Sequence, residues 1–171
     1  MNRFLAGAIA LSIVAPVAPI AAQTHPVQSM DALYESGRQH MAPNWTGLGK
    51  TYKSAVFIHN DIRKTDHGQY AVWTHNELPG LEYLEKEKAY LSVRDRLLID
   101  CKSSRLGISD QAYYAERFAH GAVVGTNRIK AVDMREIVPD SIEELLVKTV
   151  CAPKPRKAVA QKVKASKKPA E

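Results

Sequence analysis

Between residues 88 and 101 the chain alternates with a period of two. Ala89, Leu91, Val93, Leu97, Ile99 and Cys101 share one parity, and Tyr90, Ser92, Arg94, Arg96 and Asp100 share the other. Leu98 interrupts the polar phase, and Asp95 puts one charge into the apolar phase. This is the pattern of a half-buried β-strand, with Cys101 directed at the core. Residues 54–59 and 69–75 are shorter apolar, β-rich runs. The segment 64–68 between them ends on Gly68, which can take a positive φ, and predicts a hairpin. Residues 76–87 are polar and broken by Pro79 and Gly80. They predict a long exposed hairpin loop, either a plain solvated connection or a place for binding.

Beyond the central strand, Leu106, Ile108 and Ala112 set one phase across 105–114, and 121–126 is another β-rich run. Residues 129–137 lead to a helix capped by Asp140 or Ser141. Glu143 and Glu144 stand in its first turn, where they suit the helix dipole. Ile142, Leu145, Leu146 and Val150 fall near one face, and Cys151 ends the helix. On the N-terminal side, Val27, Met30, Leu33 and Tyr34 have helical spacing behind a Ser29 cap, but Gly37, Pro43, Gly47 and Gly49 follow. Residues 24–44 are therefore expected to be a poorly ordered lead-in holding one short helix. Trp45 is expected as a core or edge anchor rather than a ligand platform, and Asn44, Trp45 and Thr46 match the glycosylation sequon.

The N-terminus assigns the compartment. Met1, Asn2 and Arg3 form a short positive region, 4–14 are apolar, and small residues follow to Ala22 and Gln23. Residues 1–23 read as a secretory signal peptide. The apolar run is too short for a membrane span, which needs about 20 residues. The segment has no cysteine to take an acyl chain, so the product is expected in the periplasm or on the outer surface, not lipid-anchored. In an exported chain two cysteines imply one disulfide, and with only two the pairing is Cys101 to Cys151. A reactive thiol pair or a metal site is the competing reading, but no CxxC motif and no neighbouring histidine supports it. The bridge would fasten the end of a core strand to the end of the last helix, a constraint of about 4 kcal/mol on the chain-entropy account.

Charge changes the picture at one place. The formal net charge is +6, yet seven of the 24 bases lie after Cys151: Lys154, Arg156, Lys157, Lys162, Lys164, Lys167 and Lys168. Setting aside those seven, Arg3 and Glu171 leaves residues 24–151 with 16 bases and 17 acids, close to neutral. Residues 152–171 are nearly all Ala, Lys, Pro and Val and are expected to be disordered. Two readings of this tail stand side by side: a solvated extension, or electrostatic attachment to anionic polymers through those seven residues.

The order of elements also carries a resemblance. A strand ends in Asp100 and Cys101, an Arg-bearing strand follows, and Gly121, Ala122, Val123 and Val124 come next. Val138, Pro139, Asp140 and Ser141 open the helix, and Val150 and Cys151 close it. Val72 and Trp73, and Tyr90, Leu91 and Ser92, fit as well. Over residues 45–151 the chain resembles the surface-adhesin protein E family of bacterial envelope proteins. The resemblance implies an α+β fold: an antiparallel sheet of about five to six strands with a C-terminal α-helix docked on it, one disulfide, and here a disordered basic tail. The best-known members are lipid-anchored adhesins that bind host extracellular proteins. This chain differs in lacking a lipobox cysteine and in carrying the basic tail.

A catalytic centre is not evident. His59 and Asp61 are close, and His67 and His75 lie in the same hairpin region, but two ligands do not fill a zinc site. Gly121 to Gly125 lacks the lysine and spacing of a phosphate loop, and no GxSxG elbow occurs. Ser103 and Ser104 beside Asp100 read as a turn. No catalytic, metal or cofactor residues are assigned. The expected function is a non-enzymatic binding module for extracellular or envelope proteins. The alternatives are a structural or stress-related periplasmic protein without a host ligand and, with no residue constellation behind it, a small hydrolase.

Overall fold

The computed structural model describes residues 26–85 and 87–152. The proposed signal peptide and the basic tail from Pro153 onward lie outside these residues. The described chain runs α1 (Met30–His40), β1 (Trp45–Lys50), β2 (Ala55–His59), β3 (Arg63–Lys64), β4 (Tyr70–Leu84), β5 (Lys88–Asp100), β6 (Arg105–Tyr114), β7 (Val123–Arg128), β8 (Arg135–Glu136) and α2 (Ile142–Cys151). The strands form one antiparallel sheet of eight in the order β1-β2-β4-β5-β6-β7, with β3 beside β4 and β8 beside β6. The count exceeds the expected five to six because β3 and β8 are two residues each, too short to show a period. No helix among the described residues is long and apolar enough to cross a membrane.

The alternation read in residues 88–101 divides the sheet into two faces. Val56, Ile58, Val72, Leu97, Ile99 and Leu106 point to one face and are buried there. Leu146, Val147 and Val150 of α2 close over that face. Residue by residue the opposite parity of β2 packs the other way: Ala55 and Phe57 lie under Leu33 of α1. The two helices thus cover opposite faces. Ser141 caps α2 by accepting from the Glu144 N–H, and Glu143 and Glu144 sit in the first turn as expected. Cys101 and Cys151 are bonded with their Cα atoms 5.7 Å apart, so the far end of α2 is tied to the end of β5.

Three expectations are corrected. Met30–His40 form the short helix expected behind the Ser29 cap, but it is docked on the sheet rather than part of a poorly ordered lead-in. Its Gly37 permits this: a Cβ there would stand 2.2 Å from Cζ of Phe57, so only glycine lets α1 reach the sheet. Residues 76–87 are not a long loop. β4 runs through Pro79 and Gly80 to Leu84, and the turn to β5 spans only 85–87. The pairing passes from Glu77 opposite Ser92 to Glu82 opposite Tyr90, so β4 bulges at 78–81. The Pro79 carbonyl there accepts from the Gln28 N–H at 2.8 Å, and Arg117 reaches the Leu78 and Pro79 carbonyls, so the bulge is satisfied by protein rather than water. Finally, a bulge at Ser109 reverses the phase of β6: Ile108 pairs with Leu97, but Ala112 pairs with Arg94 and shares its face.

Candidate functional site

On the face under α1, the helix and the turn Arg117–Ala119 cover only part of the sheet. His75 and Glu77 are fully buried there, 2.6 Å apart. The Arg117 guanidinium donates to Glu77 at 3.4 Å and to the Leu78 carbonyl at 2.6 Å, and the Phe118 N–H donates to Glu77. Ser92 donates to the Glu116 carbonyl at 2.8 Å and accepts from the Ala119 N–H at 3.1 Å. Phe118 and Ala119 both take φ of 57°, a left-handed pair, and His40 stacks on Phe118 with ring centres 5.4 Å apart. This polar knot anchors the turn and seals one end of the face.

The rest of the face is open. Because paired residues of adjacent antiparallel strands share a side, Trp45 of β1 stands beside His59 of β2, Trp73 of β4 beside Arg96 of β5, and Arg96 beside Asp110 of β6, itself opposite Arg128 of β7. Trp45 meets His59 edge-on at 4.9 Å. The Arg94 guanidinium lies between two aromatic rings, Trp45 and Tyr114. Arg94 makes no ion pair among the described residues. Arg128 donates to Asp110 at 2.9 Å, and Arg96 lies 3.6 Å from its other oxygen. Burial pushes the Asp110 carboxyl up, but the bonds from Arg128 and Ser109 and the charges of Arg128 and Arg96 hold it below its ordinary value. Arg63 pairs with Asp61, whose N–H donates to His59 Nδ1 at 3.1 Å. Two adjoining hollows, of about 490 Å³ and about 250 Å³, run along this strip and share His59 and Trp73 in their walls. The chemistry on offer is planar: indole and phenol faces interleaved with guanidinium groups, the set that binds carboxylates and extended polar chains by stacking and bidentate hydrogen bonds.

The structure brings Cys101 and Cys151 together as expected. Lys154, Arg156, Lys157, Lys162, Lys164, Lys167 and Lys168 lie outside the described residues. Trp45 is the edge anchor expected of it, opening the edge strand β1 and packing against the cluster of Leu33, Ala55 and Phe57, but its partly exposed ring also carries Arg94 on the open strip. Ser103 and Ser104 form a turn as read: the Ser103 hydroxyl and the Lys102 N–H both donate to Asp100, which holds that carboxyl below its ordinary value. Among the described residues no three His, Cys, Asp or Glu side chains gather at metal-binding distance. Arg94 and Arg96 also stand on the open strip. Their signal was present in the polar parity of residues 88–101, but which aromatic rings meet it depends on strand pairing.

Fold and site together define a disulfide-tied antiparallel-sheet module with a helix on each face, the face under α1 left partly open as an aromatic–arginine strip. Residues 45–152 match Surface-adhesin protein E, and the chain belongs to that family. Crystal form II of Haemophilus influenzae protein E superposes with a TM-score of 0.52 at 16% identity, covering 65% of this chain and 89% of that one. A second structure of Haemophilus influenzae protein E gives 0.50 at 16% identity, covering 65% and 86%. Protein E from non-typeable Haemophilus influenzae gives 0.50 at 16%, covering 65% and 77%. At these identities the likeness is one of fold. No curated protein matches the chain.

Proposed function

We propose that this protein is an exported bacterial envelope protein acting as a non-enzymatic, adhesin-type binding module, and that its contact surface is the open strip of Trp45, His59, Trp73, Arg94, Arg96 and Tyr114. The observation that carries this reading is Arg94, held between two aromatic rings with no carboxylate partner among the described residues. Such a group is pre-oriented for an incoming anion, and tryptophan, tyrosine and arginine are the residues that dominate protein interfaces. The partner class is an acidic segment of an extracellular or envelope protein. The apolar run at 4–14 behind Arg3 supports export. Membership of the adhesin family supports a binding role, and the lysines of the tail add attraction to anionic envelope polymers.

The test is binding of the full mature chain to immobilised matrix proteins and envelope polymers, alongside surface labelling of intact cells. Expected are saturable binding to at least one protein that weakens with salt, and polymer binding that falls when residues 152–171 are deleted. Absence of binding to every protein tried, or recovery of the chain only in the osmotic-shock fraction, overturns host adhesion.

A further inference from the structure

On the opposite face, α2 does not reach across the whole sheet. Between its first turns, the β1–β2 connection and the strands lies a cleft of about 280 Å³. Its walls are mainly apolar: Leu48, Val56, Leu106, Ile108, Ile142 and Leu146. Its floor carries Thr74, Asn76 and Asp95. Two carboxylates line the cleft: Glu143, paired with Arg135, and Asp95, the charge that broke the apolar parity of residues 88–101. Asp95 is held in place from both sides: Asn76 Nδ2 donates to Oδ2 at 2.9 Å, and Gln111 Nε2 donates to Oδ1 at 2.9 Å. Those amides are fixed in turn, Asn76 by the Ser54 hydroxyl at 3.2 Å and Gln111 by the Tyr113 hydroxyl at 3.1 Å. Asp95 therefore keeps a set orientation, yet makes no ion pair among the described residues.

Neither cation lining the cleft pairs with Asp95. Arg135, at the mouth, is bound by both nitrogens to Glu143, one contact being 2.8 Å. Lys53 lies over the Tyr52 ring at 5.4 Å. A carboxylate desolvated in an apolar cleft costs stability unless it meets a cation. Its parity mates Val93, Leu97 and Ile99 are aliphatic and buried, and the two amides that bond Asp95 satisfy its oxygens without neutralising its charge. The shape and the charge ask for one kind of occupant: an apolar stem narrow enough for the cleft, ending in a cation that reaches Asp95.

We propose that this cleft is a ligand site for a short alkyl chain ending in a protonated primary amine, with the ammonium bound to Asp95 and the chain lying along Leu48, Ile108, Ile142 and Leu146. The cleft sits at the small end of ligand pockets, which suits a linear amine rather than a ring system. The site lies on the face turned away from the aromatic–arginine strip and stands independently of the adhesin reading.

The experiment is titration of the full mature chain with hexylammonium, 1-hexanol and hexanoate, followed by calorimetry and by the methyl resonances of Leu97, Ile108, Ile142 and Leu146. Hexylammonium is expected to bind at least about tenfold more tightly than hexanol, the worth of one charge-assisted hydrogen bond, and hexanoate to bind least. Asp95→Asn is expected to abolish the preference for amine over alcohol. A parallel titration with N-acetyl-lysine amide distinguishes the source: binding comparable to hexylammonium points to lysine side chains of a polypeptide, and its exclusion points to free amines. Both patterns support the ammonium site. Equal binding of amine and alcohol, no shift of the cleft methyls, or an undiminished preference in Asp95→Asn overturns it. Where Asp95→Asn does not fold, the methyl shifts of the wild type decide.

Discussion

The guanidinium of Arg94 lies 4.8 Å from the centre of the Trp45 ring and 5.5 Å from that of Tyr114. Residues from β1, β5 and β6 thus meet above one point of the sheet, where the arginine is half-buried and its Nε has no hydrogen-bond partner among the described residues. A partly exposed stack of this kind contributes about 0.5–1 kcal/mol to stability. Arg94→Ala is therefore expected to lower the melting temperature only slightly. Binding of the extracellular protein partner should fall about tenfold or more, as for a central arginine of an interface. Surface plasmon resonance with parallel thermal melts checks this. Unchanged affinity in a folded Arg94→Ala protein removes the strip from the binding surface.

The disulfide holds α2 at its C-terminal end only, since the bond is made by Cys151, the last residue of the helix. With a sequence separation of 50, opening the loop returns about 4 kcal/mol of chain entropy to the unfolded state. The double variant Cys101→Ser/Cys151→Ser is expected to lose about that much in urea unfolding. Amide exchange in α2 should accelerate before exchange in β4 and β5, because the sheet keeps its own ladder of hydrogen bonds. Equal stability with and without the bridge contradicts this.

The elements that could be read from sequence are those whose pattern is local. β5 announced itself by parity, α2 by Ser141 and its acidic first turn, and the hairpin turn by Gly68, which does adopt φ of 80°. What was hidden depended on distant partners. Pro79 and Gly80 look like a break until Gln28 and Arg117 arrive to satisfy the bulged backbone. Gly37 weakens a helix in isolation, yet Phe57 requires it. The single-residue bulge at Ser109 turns Ala112 to the other face, which no periodicity shows. The open strip was hidden for the same reason: Trp45 and Arg94 are 49 positions apart, and the pairing of β1, β2, β4 and β5 brings them together.

Gly37 offers a sharp test of that account. In a solvated helix, glycine to alanine gains about 1 kcal/mol. Here the new Cβ would meet Phe57, a fully buried ring, at 2.2 Å. Overpacking of that kind costs about 1–3 kcal/mol, so Gly37→Ala is expected to destabilise. Adding Phe57→Leu, which shortens the opposing side chain, should restore part of the loss. A stabilised Gly37→Ala protein places α1 off the sheet.

Arg117 is the external tie of the buried His75–Glu77 pair, and it bonds the Glu77 carboxyl and two bulge carbonyls at once. Arg117→Ala takes the charged partner from the buried Glu77 carboxyl and a donor from the Leu78 carbonyl, while the Pro79 carbonyl keeps the Gln28 N–H, and a loss of about 3–5 kcal/mol is expected, as when one partner of a buried charged pair is removed. Arg117→Lys should recover little, because an ammonium cannot span the fork that the guanidinium makes. Denaturant unfolding of the three proteins checks the order wild type, Lys, Ala.

Asp95 predicts an unusual sign in the pH dependence of stability. Burial, only partly offset by the Gln111 and Asn76 bonds and by the charge of His75, raises its carboxyl above the ordinary value. The folded state therefore holds the Asp95 proton more tightly than the unfolded state. Asp95 weakens the fold at neutral pH, and that penalty lifts as pH falls through the folded pKa, with the gain complete below the unfolded one. Asp100, Asp110 and Glu144 have lowered values and act oppositely, losing stability on acidification. The raw stability curve mixes these effects, so the informative quantity is the difference between wild type and Asp95→Asn. The nearby Tyr90 and Tyr113 hydroxyls are pushed upward and stay protonated throughout this range. Urea unfolding from neutral pH down to about pH 4, near the ordinary Asp value, is expected to show wild type gaining on Asp95→Asn at each step. A pH-independent difference means that Asp95 is solvated, and the cation site in the cleft loses its electrostatic basis with it.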